Sequence, residues 1–172
     1  MGADNRGIRI PTNHLRYAML KFHDQFLLWA ARMWITESRR QPTMPLRVRE
    51  AFEVAGVVEA TDHLHDLLTI ISTKADRTAL FHPVGEPLVA EEEARFLTLL
   101  AAARHHACDA YIVTLLTEWL PKVAALRALA PARALALIAG TKLEPPASGR
   151  SHLLTGAQSG SSSPDPGFAL LH

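Results

Sequence analysis

The amino-acid sequence predicts an all-α fold, a single-domain helical bundle of about five to six helices. Apolar residues recur at spacings of three and four along most of the chain, and segments that alternate apolar and polar residues, as half-buried strands do, are absent. Prolines separate the periodic segments from one another. The chain has 172 residues, of which 48% are hydrophobic and 20% charged, which suits one folded domain.

Local residues mark the ends of several predicted helices. Asn13 can cap the first helix with its side-chain oxygen, and the acidic residues at 91–93 suit the positive N-terminal end of the third. Pro131 is expected to separate the last two helices, and Gly140 to end the last one. The predicted helices span residues 13–39, 46–73, 88–107, 109–119, 122–130 and 132–139.

The two ends of the chain differ in composition from its middle. We expect a flexible N-terminal arm at 1–12, a helical domain at 13–140 and a flexible C-terminal tail at 141–172. The tail is rich in Pro, Gly and Ser, so it has too few large apolar residues to offset the entropy cost of ordering. Its last residues, 168–172, are either a docking peptide or a frayed end.

Composition and short motifs exclude several classes of protein. The net charge of +1 favours no class of partner, and the single cysteine, Cys108, allows no intramolecular disulfide. Motifs that bind phosphates, dinucleotides or zinc, and the serine of a nucleophile elbow, are absent. The opening residues lack the apolar core of a signal peptide, and charged residues interrupt the apolar stretch 15–35. We expect a cytoplasmic protein without cofactor, membrane span or evident catalytic motif.

The segment VVEATDHLHD, residues 57–66, concentrates titratable side chains. At about 100° per residue, four of them share one face of a helix: Glu59, Asp62, His63 and Asp66. That face lies about 130° from the apolar stripe of the same helix, and His65 falls on the opposite flank from His63. We interpret the four residues as a solvent-exposed face, with a metal site as the alternative.

A second group of reactive side chains surrounds the only thiol. If the helix continues through it, His105, Cys108 and Asp109 share one face, which would suit a metal ion or a histidine-activated thiolate. The apolar stripe rotates by about 150° after this point, which indicates either a helix break or burial on different sides. The three residues are therefore candidates for a catalytic or metal site, or they are caps and solvent contacts.

Basic residues cluster between the first two predicted helices. They are Arg39, Arg40, Arg47 and Arg49. The residues that follow them are acidic, and phosphate binding usually needs a broader basic surface. We interpret the cluster as a solvated loop, with nucleic-acid binding as the weaker alternative.

The first predicted helix carries two apolar stripes more than 100° apart. The first is a heptad-like row: Leu15, Met19, Phe22, Phe26, Trp29 and Met33. The second consists of Leu20, Leu27, Ala31 and Trp34, and the remaining polar face is narrow: Lys21, Asp24, Gln25 and Arg32. Either this helix is the centre of the bundle, or one stripe meets the core and the other meets a partner.

Three hypotheses of function follow from these features. We favour a protein-protein interaction or regulatory module, in which Leu20, Leu27, Ala31 and Trp34 form the contact with a second copy of the chain or with another protein. A metal- or thiol-dependent enzyme that uses the face of His105, Cys108 and Asp109 is the first alternative. A nucleic-acid binder that uses the arginine cluster is the second.

Overall fold

The computed structural model describes residues 15–38, 43–75 and 81–143. In these ranges the chain forms six α-helices and one 3-10 turn, which confirms the all-α class. The turn spans Tyr17–Met19, and the helices are α1 Phe22–Glu37, α2 Leu46–Val54, α3 Ala60–Lys74, α4 Glu91–Arg104, α5 Asp109–Leu116 and α6 Lys122–Lys142. The described residues contain no β-strand, only an isolated antiparallel bridge between Arg16 and Leu88. The predicted arm at 1–12 and residues 144–172 of the predicted tail lie outside the described ranges.

The longest helix, α6, is the centre of the bundle. It packs against α3, α4 and α5, and it presents mainly small residues to them. Small side chains at the contact allow neighbouring helices to approach closely. The buried residues of this face are Ala124, Ala125, Ala128, Ala132, Leu135, Ala136, Ala139 and Gly140.

The prediction of two helices at 122–130 and 132–139 is wrong, because α6 continues through Pro131. A proline inside a helix removes one backbone hydrogen bond and costs about 3 kcal/mol or more. Ala128 and Ala132, on either side of the proline, are fully buried against the neighbouring helices. The packing on both sides of the proline therefore outweighs the local cost.

Gly140, predicted to end the last helix, lies inside α6 beneath the side chain of Arg104. A Cβ atom at this position would lie 2.8 Å from Arg104 Cγ and closer still to its Cδ. Arg104 reaches across α6 to His23 on α1, with 2.6 Å between Nη1 and Nε2. The glycine is thus a packing residue between α4 and α6, and the predicted tail boundary at 141 falls within α6.

Among the described residues, α6 is also the one helix whose length and hydropathy would suffice to cross a membrane. The central helix of a bundle meets the same two criteria, and α6 contacts three helices of its own chain.

The first helix begins at Phe22 rather than at 13, because residues 15–20 pair with a loop instead of continuing the helix. The amide of Tyr17 donates to the carbonyl of Pro87 at 2.8 Å, and the amide of Val89 donates to the carbonyl of Leu15 at 2.9 Å. Local apolar spacing carries no information about such pairing across the chain.

The predicted helix over 46–73 is divided at 55–59 by a turn at Gly56. Gly56 has a φ of +69°, and its amide donates to the carbonyl of Glu53, while the amide of Val57 donates to the carbonyl of Phe52. This pair of bonds is the Schellman motif that ends many helices. Val57 and Phe52 are both fully buried, so the turn is held by an apolar contact as well.

Candidate functional site

A groove of about 900 Å³ opens between α1, α2 and the C-terminal end of α6. Its walls are mostly apolar, with charged groups at the rim. The lining residues are Phe22, Phe26 and Trp29 from α1, Arg47, Glu50, Ala51 and Val54 from α2, Ala55 after it, Lys142 from α6, and Leu143 after it.

The α1 wall is a row of three aromatic rings. Spacings of four and three place Phe22, Phe26 and Trp29 on one helix face. The ring centroids lie 6.3 Å apart between Phe22 and Phe26, and 6.1 Å apart between Phe26 and Trp29. Phe26 also contacts the buried ring of Phe52 on α2, at 5.0 Å between centroids. The row is therefore anchored in the core at its middle ring.

The α2 wall of the groove is one face of this short helix, and the neighbouring face packs in the core. Val48 and Phe52 are fully buried in the core, whereas Ala51 and Val54 line the groove. Val54 is 91% exposed and Phe22 on the facing wall is 61% exposed. Soluble monomers rarely leave adjacent large apolar side chains in water, and such patches mark interaction sites.

Three charged side chains are among the lining residues of the groove: Arg47, Glu50 and Lys142. Lys142 Nζ donates to both carboxylate oxygens of Glu59, at 3.1 and 3.2 Å. A hydrogen bond from its own backbone amide, together with Lys142, lowers the pKa of the Glu59 carboxyl. Arg47 has no hydrogen-bond or ion-pair partner among the described residues. The groove therefore offers mostly apolar walls with one cation, Arg47, and one carboxylate, Glu50, that no described residue pairs.

A second feature of α1 is a buried ion pair, which lies on another side of the helix from Phe22. Arg32 is 2% exposed and Glu93 on α4 is fully buried. Arg32 Nε and Nη2 each donate to a different oxygen of Glu93 at 2.7 Å. Sequence reasoning missed this pair: it placed Arg32 on the polar face of α1 and Glu93 at a helix N-terminus, with nothing to link residues so far apart.

The remaining hydrogen bonds of this ion pair hold the loop that precedes α4. Arg32 donates to the carbonyls of Glu86 and Leu88 at 2.7 Å, and Glu93 accepts from the amides of Ala90 and His82 at 2.8 and 2.9 Å. These bonds engage the guanidinium nitrogens and both carboxylate oxygens, so the pair has a structural role rather than a ligand-binding one.

The same region contains a shielded phenol. The ring of Tyr17 lies 5.4 Å from the Arg32 guanidinium carbon, and its hydroxyl donates to the carbonyl of Gln25 at 2.7 Å. Burial raises the pKa of Tyr17, and the positive charge of Arg32 opposes that shift.

The predicted site at His105, Cys108 and Asp109 depended on a continuous helix, and the helix is interrupted there. The last residue of α4 is Arg104, His106 has a φ of +57°, and α5 starts at Asp109. Asp109 Oδ1 accepts from Arg133 Nε at 2.7 Å, while His105 and Cys108 are exposed. The helix break removes the shared face, and the carboxylate is engaged by α6.

The predicted acidic face divides in a similar way. Glu59 lies before α3 and pairs with Lys142, whereas Asp62 and Asp66 are exposed and His63 is half-buried. Across the described residues, no three His, Cys, Asp or Glu side chains lie close enough together to hold a metal ion.

The arginine cluster is only partly described. Arg39 and Arg40 lie outside the described residues, and Arg47 and Arg49 are exposed on α2. Of these two, Arg47 lies at the rim of the apolar groove.

The apolar stripe predicted to contact a partner lies in the core of its own chain. Leu27, Ala31 and Trp34 are buried, and Leu20 packs partly buried against the same core. The other stripe of α1 supplies the open wall of the groove through Phe22. The exposed ring of α1 is thus Phe22, on the stripe that the interaction hypothesis assigns to the core.

Comparison with protein-family models, curated proteins and solved structures found no match for this chain. A proposal of function therefore depends on the geometry of the groove and the chemistry of its walls.

Proposed function

We propose that the protein is a helical interaction module that binds an apolar segment of a partner protein in the groove between α1, α2 and the end of α6. The observation that carries the proposal is the row of aromatic rings that lines the groove, which begins at the exposed Phe22 and continues through the partly buried Phe26 and Trp29. Removing Phe22 and Val54 from water would contribute roughly 1.5 to 3 kcal/mol each to binding.

The shape and charge of the groove favour an amphipathic helix as the bound segment. Two helices form its long walls, and an apolar face with residues at i, i+3 or i+4, and i+7 can fill such a groove. Arg47 favours an acidic residue at the edge of the bound helix, since a charge-assisted hydrogen bond is stronger than a neutral one.

A second copy of the chain is one partner that fits this proposal. The homodimer expected from the sequence would then form through Phe22 and Val54 rather than through Leu27 and Trp34, which are buried within one chain. Light scattering over a range of protein concentrations measures whether the mass doubles, and Phe22→Glu should prevent the doubling.

The binding proposal is tested by selecting amphipathic helical peptides from a displayed library against the protein. We expect the selected peptides to bind Phe22→Glu or Val54→Glu at least about tenfold more weakly than wild type, because each change places a charge in the apolar groove. The matched control is Val123→Glu, which replaces an apolar residue that is 74% exposed outside the groove. Peptides that bind all four proteins equally would refute the proposal.

A further inference from the structure

We propose that residues 168–171 of the same chain, Phe-Ala-Leu-Leu, occupy the groove when no partner is bound and compete with the partner for it. The inference rests on the proposed function, since it names a regulator of the same binding site. It draws on three features: the point where the chain leaves the groove, the distribution of apolar residues after that point, and the charges on each side.

The chain leaves the described structure at the groove itself. Leu143 is the last described residue, and it lines the groove together with Lys142. A Gly-, Ser- and Pro-rich linker of the length of 144–167 spans about 27 Å on average and about 80 Å when fully extended. Residues 168–171 can therefore reach both walls of the groove without any rearrangement of α6.

The apolar residues beyond Leu143 are concentrated in this one short segment. Large apolar side chains occur at Leu153, Leu154, Phe168, Leu170 and Leu171. Three of the five fall within residues 168–171, and Phe168 can pack edge-to-face against the row formed by Phe22, Phe26 and Trp29.

One charge on each side is complementary to the other. Asp165 lies three residues before Phe168, and Arg47 at the rim of the groove lacks a partner among the described residues. An ion pair between them would orient the segment along the groove, with its apolar residues directed toward the aromatic wall.

The tether makes even a weak contact effective. A Gly-, Ser- and Pro-rich linker of this length would hold the segment at an effective concentration of about 1 mM, so a segment with a dissociation constant near 0.1 mM would fill about nine tenths of the grooves. A competing ligand would then bind about tenfold more weakly to the full chain than to a chain without the segment.

The experiment uses the full chain labelled with 5-fluorotryptophan, which reports on Trp29, Trp34 and Trp119 separately by fluorine NMR. Trp29 lines the groove, whereas Trp34 and Trp119 are buried, and Trp29→Phe assigns its signal. The second readout is the affinity of the dye 8-anilinonaphthalene-1-sulfonate, an apolar anion that suits the aromatic wall and Arg47.

The test variant replaces Phe168, Leu170 and Leu171 with Asp, and the matched control replaces Leu153 and Leu154 with Asp. We expect the test variant to shift the Trp29 signal, to leave the Trp119 signal in place and to bind the dye about tenfold more tightly. The control should resemble wild type in all three respects.

Three outcomes would overturn the inference. An unchanged Trp29 signal and dye affinity in the test variant would show that the segment does not occupy the groove. Equal changes in the control would assign the groove to Leu153 and Leu154. A wild-type Trp29 signal that moves to the position of the test variant on dilution would mean that the segment binds a second copy.

Failure of the inference is separable from failure of the proposed function. Phe22→Glu is added to the test variant, in which the groove holds no tail segment. Loss of dye binding in this combined variant would support the groove as a binding site, even if residues 168–171 do not occupy it. Unchanged dye binding would refute the proposed function as well.

Discussion

Two sides of α1 differ in how completely the rest of the protein contacts their side chains. On one side Arg32 places a charge in the core, where Glu93 and two backbone carbonyls accept its hydrogen bonds. On the other side Phe22 leaves most of an aromatic ring in water, with the ring of Phe26 beside it. A buried charge with every partner supplied is a structural element, whereas an exposed aromatic ring at the edge of an apolar groove is available for binding. The polarity of a residue is thus a poorer guide to its role than the completeness of its contacts.

The largest effect is expected from breaking the buried ion pair. Arg32→Met leaves the Glu93 carboxylate buried without its cation, which should lower the free energy of unfolding by about 3 to 5 kcal/mol. That loss corresponds to a decrease of about 10 °C in Tm, measured by urea and thermal denaturation. The matched control is Arg95→Met, which removes the ion pairs of a partly exposed arginine with Glu91, Glu92 and Glu118 and should cost less than about 1 kcal/mol.

The coupling of the pair sharpens this prediction. The double variant Arg32→Met/Glu93→Leu removes both charges, so it should lose less stability than the sum of the two single variants. Losses that simply add would mean that the two side chains act independently, which would contradict the role assigned to the pair.

The sequence predicted what depends on local periodicity. The apolar spacing in α3 and α4 places their stripes correctly, since Leu64, Leu67 and Leu68, and likewise Phe96 and Leu99, are buried. It could not predict that α6 passes through Pro131, because the packing that compensates for the proline comes from other helices.

The site was less predictable than the fold. Both stripes of α1 are apolar, and only the positions of α2 and α3 decide that Trp34 is buried while Phe22 is exposed. The pair of Arg32 and Glu93 joins residues on two helices and leaves no periodic signal in either one. The arginines, histidines and cysteine became candidates because of their residue type. The groove is lined mostly by apolar residues of the kinds that also fill protein cores, so their residue type gave no signal of a site.

The two tryptophans of α1 should differ less strongly in their effect on stability: Trp34 is buried, whereas Trp29 lines the groove. Trp34 Nε1 donates to His65 Nδ1 at 3.0 Å and joins α1 to α3, so Trp34→Phe loses this bond and leaves a small cavity. We expect a loss of about 2 kcal/mol in the free energy of unfolding. Trp29→Phe, in the groove wall, should cost less than half as much, and equal losses would mean that Trp29 is also a core residue.

A still smaller effect is expected at the crossing of Arg104 over α6. Gly140→Ala should gain about 1 kcal/mol in helix propensity but lose about 2 kcal/mol through the clash with Arg104, a net loss near 1 kcal/mol. With Arg104→Ala as background, the same change should stabilise the protein. A loss of the same size in both backgrounds would show that another contact excludes the Cβ atom.

The smallest effect on stability is expected at the groove, and it is the most informative one. Phe22 is 61% exposed, so in a chain whose tail segment is replaced Phe22→Glu should change the free energy of unfolding by no more than about 0.5 kcal/mol while it weakens peptide binding at least about tenfold. In the full chain the same change should also lose the roughly 1.4 kcal/mol that a segment filling nine tenths of the grooves contributes. The matched control is Leu28→Glu, six residues along the same helix, which buries an unpaired carboxylate in the core and should prevent folding. If Phe22→Glu also lowers stability by several kcal/mol, the ring is covered in solution. The tail variant then decides whether residues 168–171 provide that cover, because only in that case should removing the segment make Phe22→Glu harmless.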